Sequence, residues 1–427
     1  MLSSLEVENF RCIEQARLSF DARATGIVGP NASGKTSLLE AIYFLGHGRS
    51  FRAAQRDKLI RHDAPFLRIV GRLDAASDPH VNPPPPDGGP SDGASALPHA
   101  DSGASPTFAG RAEAAGELGD PRSARDRSGA SAGAAVDSAP GAAWDAGRSS
   151  AQVVAGVEYQ PDRLQVRLGG KAVSGFSEIA AVLPIQVIDP GVHRLIEEGS
   201  ARRRKLLDWG VFHVKHDFLL AWRRYQRALQ QRNAALRSGA GLSMVTVWDT
   251  ELSSAAQLLD HYREGYLAVF MDTFRRWAGR LVSPAADLQY RRGWRAGVTL
   301  EEALAENQSR DQRLRTTTVG PHRADLQFTM GGAAARDQIS RGQQKMLASA
   351  FVLSQVALRA ESDAPPTCLL LDDPAAELDV DNLGKLLEAI TEIPAQLVVT
   401  AVHEGGLRGL PVGRMFHVER GKVRPMV

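Results

Sequence analysis

Thr25-Gly26-Ile27-Val28-Gly29-Pro30-Asn31-Ala32-Ser33-Gly34-Lys35-Thr36, running on into Ser37-Leu38-Leu39-Glu40-Ala41-Ile42-Tyr43-Phe44-Leu45, decides the fold of this chain. Thr25 to Val28 is β-branched and apolar enough for a buried strand. Gly29 to Thr36 matches the phosphate-loop pattern G-x-x-x-x-G-K-[ST]. Gly29 and Gly34 let the backbone curl around Pro30, Asn31, Ala32 and Ser33, so that successive N–H groups converge on phosphates. Lys35 offers a point charge to the β/γ-phosphates and Thr36 a hydroxyl to Mg²⁺. Leu38, Leu39, Ile42 and Leu45 then recur at helical spacing, which places the phosphates at a helix N-terminus. A chance match on a Gly-rich turn would lack the strand before and the helix after. The reading is an ATP or GTP site.

Two distant segments complete the pattern. The apolar run Cys368-Leu369-Leu370-Leu371 ends in Asp372-Asp373. A buried strand there would deliver Asp372 beside the loop to hold Mg²⁺ through water, and Asp373 to orient an attacking water. Acidic pairs at strand ends also cap turns, but a phosphate loop in the same chain favours the nucleotide role. The second segment is Ile339-Ser340-Arg341-Gly342-Gln343-Gln344. It precedes a helix whose Met346, Leu347, Ala350, Phe351 and Ser354 share one face. Ser340 and Gly342 therefore stand at a second helix N-terminus that offers N–H groups and a hydroxyl to an anion. Taken alone, the segment reads equally well as an N-cap.

The bulk properties fit a soluble globular protein carrying a disordered part. The chain has 427 residues, 43% hydrophobic and 23% charged, with a net charge of +2. No apolar stretch approaches the roughly 20 residues of a membrane helix, and the N-terminus reads at once as strand, without the apolar core of a signal peptide. Cys12 and Cys368 are the only cysteines; both are expected as free thiols in a reducing, cytoplasmic setting. The charge balance is too mild to identify a nucleic-acid partner, so its distribution matters more. Arg202 to Lys205, Arg223-Arg224 with Arg227 and Arg232, Arg275-Arg276, and Arg291-Arg292 with Arg295 concentrate positive charge mid-chain. Any one cluster reads equally as a solvated helix face.

Five stretches are expected. Residues 1–73 hold the N-terminal part of an ATPase lobe, with a hairpin from Leu2 to Phe20, the phosphate loop and a strand at Leu67–Leu73. Residues 74–152 are an Ala/Gly/Pro/Ser-rich insert that cannot bury enough apolar surface to order itself. Residues 153–190 form a β-meander that completes this part of the lobe. Residues 191–312 are a helical lobe, with Phe218, Trp222, Tyr225, Leu229 and Leu236 on one packing stripe and a break at Gly239-Ala240-Gly241. Residues 313–427 return to β/α character and finish the ATPase core. Sustained heptads are absent, which argues against a long coiled coil.

In that order these motifs resemble the ABC/SMC class of ATPases, and within it the RecF family. The resemblance covers nearly the whole chain outside the insert. It rests on Leu5-Glu6-Val7-Glu8-Asn9-Phe10-Arg11, the phosphate loop followed by Gly48-Arg49-Ser50-Phe51-Arg52, Arg202-Arg203-Arg204-Lys205-Leu206-Leu207-Asp208-Trp209-Gly210, Thr318-Val319-Gly320-Pro321-His322-Arg323-Ala324-Asp325-Leu326, the Ser340 segment and Asp372-Asp373-Pro374-Ala375-Ala376-Glu377-Leu378-Asp379. It implies an α/β ABC-type P-loop head, a mixed sheet with flanking helices, carrying an inserted, mostly helical second lobe. It also implies a composite site: ATP·Mg²⁺ held by Lys35, Thr36 and Asp372 of one copy and capped by Ser340 and Gly342 of another. Slow hydrolysis through Asp373, shorter than the Glu usual in the class, then loosens an ATP-dependent homodimer. The segment Ala376–Asp379 has Ala where Ser is usual, and His403 lies beyond the place of the class's γ-phosphate His, so it is read as solvent-facing or packing.

The partners implied are DNA, gapped or at single-strand/double-strand junctions, and the RecO and RecR mediators, with RecA loaded indirectly. The implied processes are DNA repair, replication, recombination and the SOS response. Arg202, Arg203, Arg204, Arg291 and Arg292 are the candidate DNA contacts. The rival readings are an ATPase subunit of a transporter or other ABC-type machine, a P-loop kinase or other small-molecule transferase, and a chromosome-binding protein with a vestigial ATPase.

Overall fold

The computed structural model describes residues 1–74, 152–215, 217–362 and 364–426. The chain opens with the antiparallel hairpin β1 (Leu2–Phe10) and β2 (Ile13–Ser19), then β3 (Ala24–Val28) feeds helix α1 (Lys35–His47). Strands β4 (Leu67–Asp74), β5 (Gln152–Gln160), β6 (Arg163–Leu168) and β7 (Lys171–Ala172) follow. With the hairpin they form one six-stranded sheet, ordered β2-β1-β4-β5-β6-β7. Its outer face is solvated, so β4 alternates buried and part-exposed residues along its length. The expected insert joins β4 to β5, where Asp74 pairs with Gln152; its residues 75–151 lie outside the described residues.

Helix α2 (Phe176–Val182) leads to β8 (Ile185–Ile188) and then to the helices α3 (Arg194–Glu197), α4 (Ser200–Val214), α5 (Phe218–Ser238), α6 (Leu242–Thr246) and α7 (Asp249–Leu281). Phe218, Tyr225, Leu229 and Leu236 are buried along α5 as its periodicity predicts, and Gly239, with φ 69°, ends it. Strand β9 (Ala286–Arg291) and short helices α8 (Leu300–Glu306) and α9 (Gln308–Leu314) precede β10 (Asp325–Met330) and β11 (Ala333–Ala334). β9 pairs with β10, so the stretches 191–312 and 313–427 share a sheet. Their core is also continuous: Phe270 and Phe274 of α7 pack edge-on against Phe351.

The last third supplies α10 (Arg341–Ala360), β12 (Cys368–Leu371), α11 (Val380–Thr391), β13 (Gln396–Ala401), β14 (Val412–Glu419) and β15 (Lys422–Met426). The central six-stranded sheet runs β15-β14-β3-β13-β12-β8, parallel except for the β14–β15 hairpin. β3, β12 and β13 are buried at every residue, as strands covered on both faces must be. Alternate residues feed two cores. Cys368 and Leu370 join α1 and the first sheet, whereas Leu369 and Leu371 join α10 and the helical lobe. This is the mixed-sheet ABC-type head with a helical lobe, and no long coiled coil occurs among the described residues. Nor is any described helix long and apolar enough to cross a membrane.

Candidate functional site

Three parallel strands end side by side at the site. β3 ends in the phosphate loop, β12 in Asp372 and Asp373, and β13 at Thr400 and Ala401. Ligand sites in open α/β sheets form at such carboxyl ends. A Cβ on Gly29 would stand 2.1 Å from the Val418 carbonyl oxygen, so the neighbouring strand β14 enforces glycine there. Gly34, with φ 116°, turns the loop into α1. The N–H of Gly421, in the β14–β15 turn, donates to the Ser33 carbonyl at 2.8 Å and braces the loop. Pro30, Asn31 and Ala32 stay exposed at its rim, while Gly29, Ser33, Gly34 and Lys35 are buried.

Lys35 Nζ donates to the carbonyls of Gly29 at 2.7 Å and Pro30 at 2.9 Å. Burial lowers its pKa, and the nearby Asp373 and Asp372 oppose that shift. Thr36 Oγ1 donates to Asp372 Oδ1 at 2.9 Å, which joins the loop to the acidic strand across the whole length of the chain. Burial raises the pKa of Asp372, against the hydrogen bonds from Thr400 and Thr36. Asp373 adopts a left-handed backbone, φ 45° and ψ 57°, and burial raises its pKa as well.

Sequence reading missed the residue that ties this pair together. Thr400 Oγ1 donates to Asp372 Oδ1 at 2.9 Å and accepts from the Asp373 N–H at 2.9 Å. One hydroxyl thus holds the Asp372 carboxylate and the Asp373 backbone. The available signal was a polar β-branched residue at the end of the otherwise apolar run Leu397-Val398-Val399. A second missed hub is Glu40, fully buried in α1. It accepts from Arg11 Nε at 2.9 Å and from an Arg11 Nη at 2.7 Å, and it also accepts from the Ser50 hydroxyl. Glu40 explains why the Asn9-Phe10-Arg11 and Gly48–Arg52 motifs occur in one chain: both are clamped to the helix behind the phosphate loop. They border a cleft of about 650 Å³ lined by Arg11, Ser37, Arg52, Ala53, Gln55 and Lys58.

The Ser340 segment is built differently. Ser340 is the N-cap of α10 in a full capping box: its hydroxyl accepts from the Gln343 N–H at 3.3 Å, and Gln343 Oε1 accepts from the Ser340 N–H at 3.0 Å. Ser340 is exposed and Gly342 half-buried. One turn on, Lys345 pairs with the Glu377 carboxylate, so the helix start is tied to the loop that follows Asp373. His403 is exposed, at the turn after β13.

The five basic candidates separate. Arg203 makes a bidentate pair with Asp325 at 2.7 and 3.1 Å and also donates to the Leu195 carbonyl. Arg204 donates to the Ala324 carbonyl at 2.6 Å. Arg292 pairs with Asp260 at 3.0 Å and lies over the Trp294 ring. These three have partners within the chain. Arg291 is exposed, and Arg202 is half-exposed with Glu198 at 3.2 Å.

Residues 1–70 match the family model described as RecF/RecN/SMC N terminal domain. The DNA replication and repair protein RecF of Shewanella amazonensis is 32% identical over 99% of this chain and 98% of its own length. The chain belongs to the RecF family. The Pseudomonas syringae pv. syringae RecF is 31% identical over 99% of this chain and 97% of its own. A solved structure of the recombination mediator protein RecF with ATP, of the RecFOR pathway, covers 100% of this chain and 97% of its own, with a TM-score of 0.74. It is only 20% identical, so it bears on the fold. As a RecF-family protein with an intact phosphate loop on an ABC-type head, the chain is an ATP-binding ATPase. Membership sets aside the transporter-subunit and small-molecule kinase readings.

Proposed function

We propose that this protein is an ATP-switched DNA-binding dimer of recombinational repair. The observation that carries this reading is the split between a phosphate-binding half closed by its own hydrogen bonds and a Ser340–Gly342 helix start left exposed. Lys35 and the Gly29–Thr36 backbone hold the phosphates of ATP. Thr36 and Asp372 offer hard oxygen donors that meet at 2.9 Å, the chemistry Mg²⁺ prefers. Mg²⁺ bound there would neutralise charge on the transferred phosphoryl group. Ser340 and Gly342 of a second copy cap the γ-phosphate, so ATP bridges the dimer.

Asp373 orients the attacking water, with its backbone pinned by Thr400. Its side chain is one methylene shorter than Glu, which suits slow turnover, and loss of the γ-phosphate loosens the dimer. DNA, gapped or at a junction of single and double strand, is held through phosphate contacts, with Arg202 and Arg291 the remaining candidates among the five arginines. RecO and RecR are the proposed partners, RecA loading the outcome, DNA replication, repair and the SOS response the setting, and the cytoplasm the location.

Sedimentation with and without ATP·Mg²⁺, on gapped duplex and off it, tests the reading with Lys35→Met as control. Dimerisation and DNA retention should require ATP and vanish in the variant. A monomer in every condition would overturn it.

A further inference from the structure

A second cavity borders the Gly48–Arg56 segment. It measures about 480 Å³, and its lining includes Arg49, Phe51, Arg202, Lys205, Trp209 and Tyr43. The volume falls in the range of sites that take a drug-sized ligand. The carboxylates on its wall are Asp189 and Glu198. Glu198 is engaged by Arg202 at 3.2 Å and Arg194 at 3.8 Å, and burial pushes the Asp189 carboxyl up. His47 adds no charge near neutrality, since burial holds its pKa down at about 3.

The cations are what set the cavity apart. On α4, Arg202, Arg203 and Arg204 all have oxygen partners. Lys205, on the same helix, and Arg49, which also lines the cavity, have no carboxylate partner among the described residues. Burial lowers the Lys205 pKa first, and the nearby Arg49, Arg202 and Arg204 lower it further. Lys205 is exposed and Arg49 half-exposed, so both charges are open to an incoming anion. The aromatic component is also specific. Tyr43 is stacked on His47 at 4.0 Å and meets Phe51 edge-on at 5.4 Å, while the Trp209 indole N–H is buried without an acceptor.

We propose that this cavity is a second nucleotide-unit site, distinct from the phosphate loop, which takes a phosphate on Arg49 and Lys205 and an unpaired base against its aromatic wall. Stacking on aromatic faces combined with backbone cations is how unpaired nucleotides are held without sequence preference. The unit comes either from a single-stranded end or from a free nucleotide. The first source rests on the DNA-binding function proposed above; the second does not. The cavity also adjoins the ATP site. Ile188 pairs with Leu371, so Asp189 on the cavity wall follows β8 as Asp372 follows β12, and occupancy is positioned to alter the hydrolysis rate.

The test uses the full chain with saturating ATP·Mg²⁺, so that the phosphate loop is filled. Fluorescence anisotropy reads binding of a labelled 5′-phosphorylated oligo-dT and of a labelled thymidine monophosphate, for wild type and Arg49→Ala/Lys205→Ala. Sedimentation and ATP binding serve as folding controls. The double variant is expected to bind at least tenfold more weakly, with a log–log salt slope for the oligonucleotide shallower by about 0.7, the value for one single-strand phosphate contact. If both probes bind wild type and the monophosphate displaces the oligonucleotide, the site accepts either source; binding of the oligonucleotide alone assigns it to strand ends. If gapped DNA is not retained yet the monophosphate binds through Arg49 and Lys205, the repair reading fails and this site stands. Equal affinity and slope in wild type and double variant, or no binding of either probe by wild type, overturns the proposal.

Discussion

The phosphate loop with its acids and the Ser340 helix start would serve one ATP, yet they are finished to different degrees. Around Lys35, the ammonium, Asp372 Oδ1 and the Asp373 N–H are each held by hydrogen bonds within the chain. Around Ser340, the backbone is capped but the surface faces outward. On the proposed function, nucleotide binding and dimer closure would then be separable, since Ser340 shares no hydrogen bond with Lys35, Thr36, Asp372, Asp373 or Thr400 and the helix start meets the loop after Asp373 through Lys345 and Glu377.

The sharpest way to break that contrast is a pair of variants. Lys35→Met and Ser340→Arg should each reduce hydrolysis by about 100-fold or more, but only Lys35→Met should weaken ATP binding measured by equilibrium dialysis. Equal loss of ATP affinity in Ser340→Arg would mean that the helix start serves the ATP of its own chain. Asp373→Asn is expected next, slowing single-turnover hydrolysis by roughly 100-fold while lengthening the ATP-bound dimer's lifetime in sedimentation. A normal rate would remove Asp373 from the water-orienting role.

Thr400→Val probes how far the closed half relies on one hydroxyl. It strips a donor from Asp372 and an acceptor from the Asp373 N–H, with an expected stability loss of about 1–3 kcal/mol by urea unfolding and a several-fold slower hydrolysis; Thr400→Ser should recover most of both. The smallest change in stability is expected from Asp372→Asn, measured without ATP·Mg²⁺. Because burial raises the Asp372 pKa, the native protein keeps a proton there more readily than the unfolded chain does. Stability therefore declines as pH rises from the unfolded carboxylate range through the raised native value, and stays lower above it. Asp372→Asn keeps the acceptor oxygen and removes the charge, so its melting temperature at neutral pH should exceed wild type by roughly 2 °C, with the gap closing on acidification. A gap independent of pH would show that burial of this charge is not what limits stability.

The parts of the molecule that were legible in advance are those whose cause is local. β3, the loop and α1 are adjacent in sequence, and β12 announces itself as four apolar residues before two acids. The illegible parts depend on partners far along the chain. Nothing near Arg203 reveals Asp325, and nothing near Arg292 reveals Asp260, so a row of arginines that reads as a solvent-facing strip is partly internal bracing. Thr400 was overlooked for the same reason: its significance exists only once β13 lies between β3 and β12.

That strand order also bears on how the protein is made. β3 is made long before both its neighbours, β13 and β14: Ala24 is flanked by Leu397 and Val412. Leu2 is likewise fastened at both its N–H and carbonyl by the Gln396 side chain. The central sheet therefore cannot close until residues 396–419 have left the ribosome. Its phosphate loop must wait, unsupported by Val418 and Gly421, through translation of everything between, which makes completion of this domain a late, long-range event.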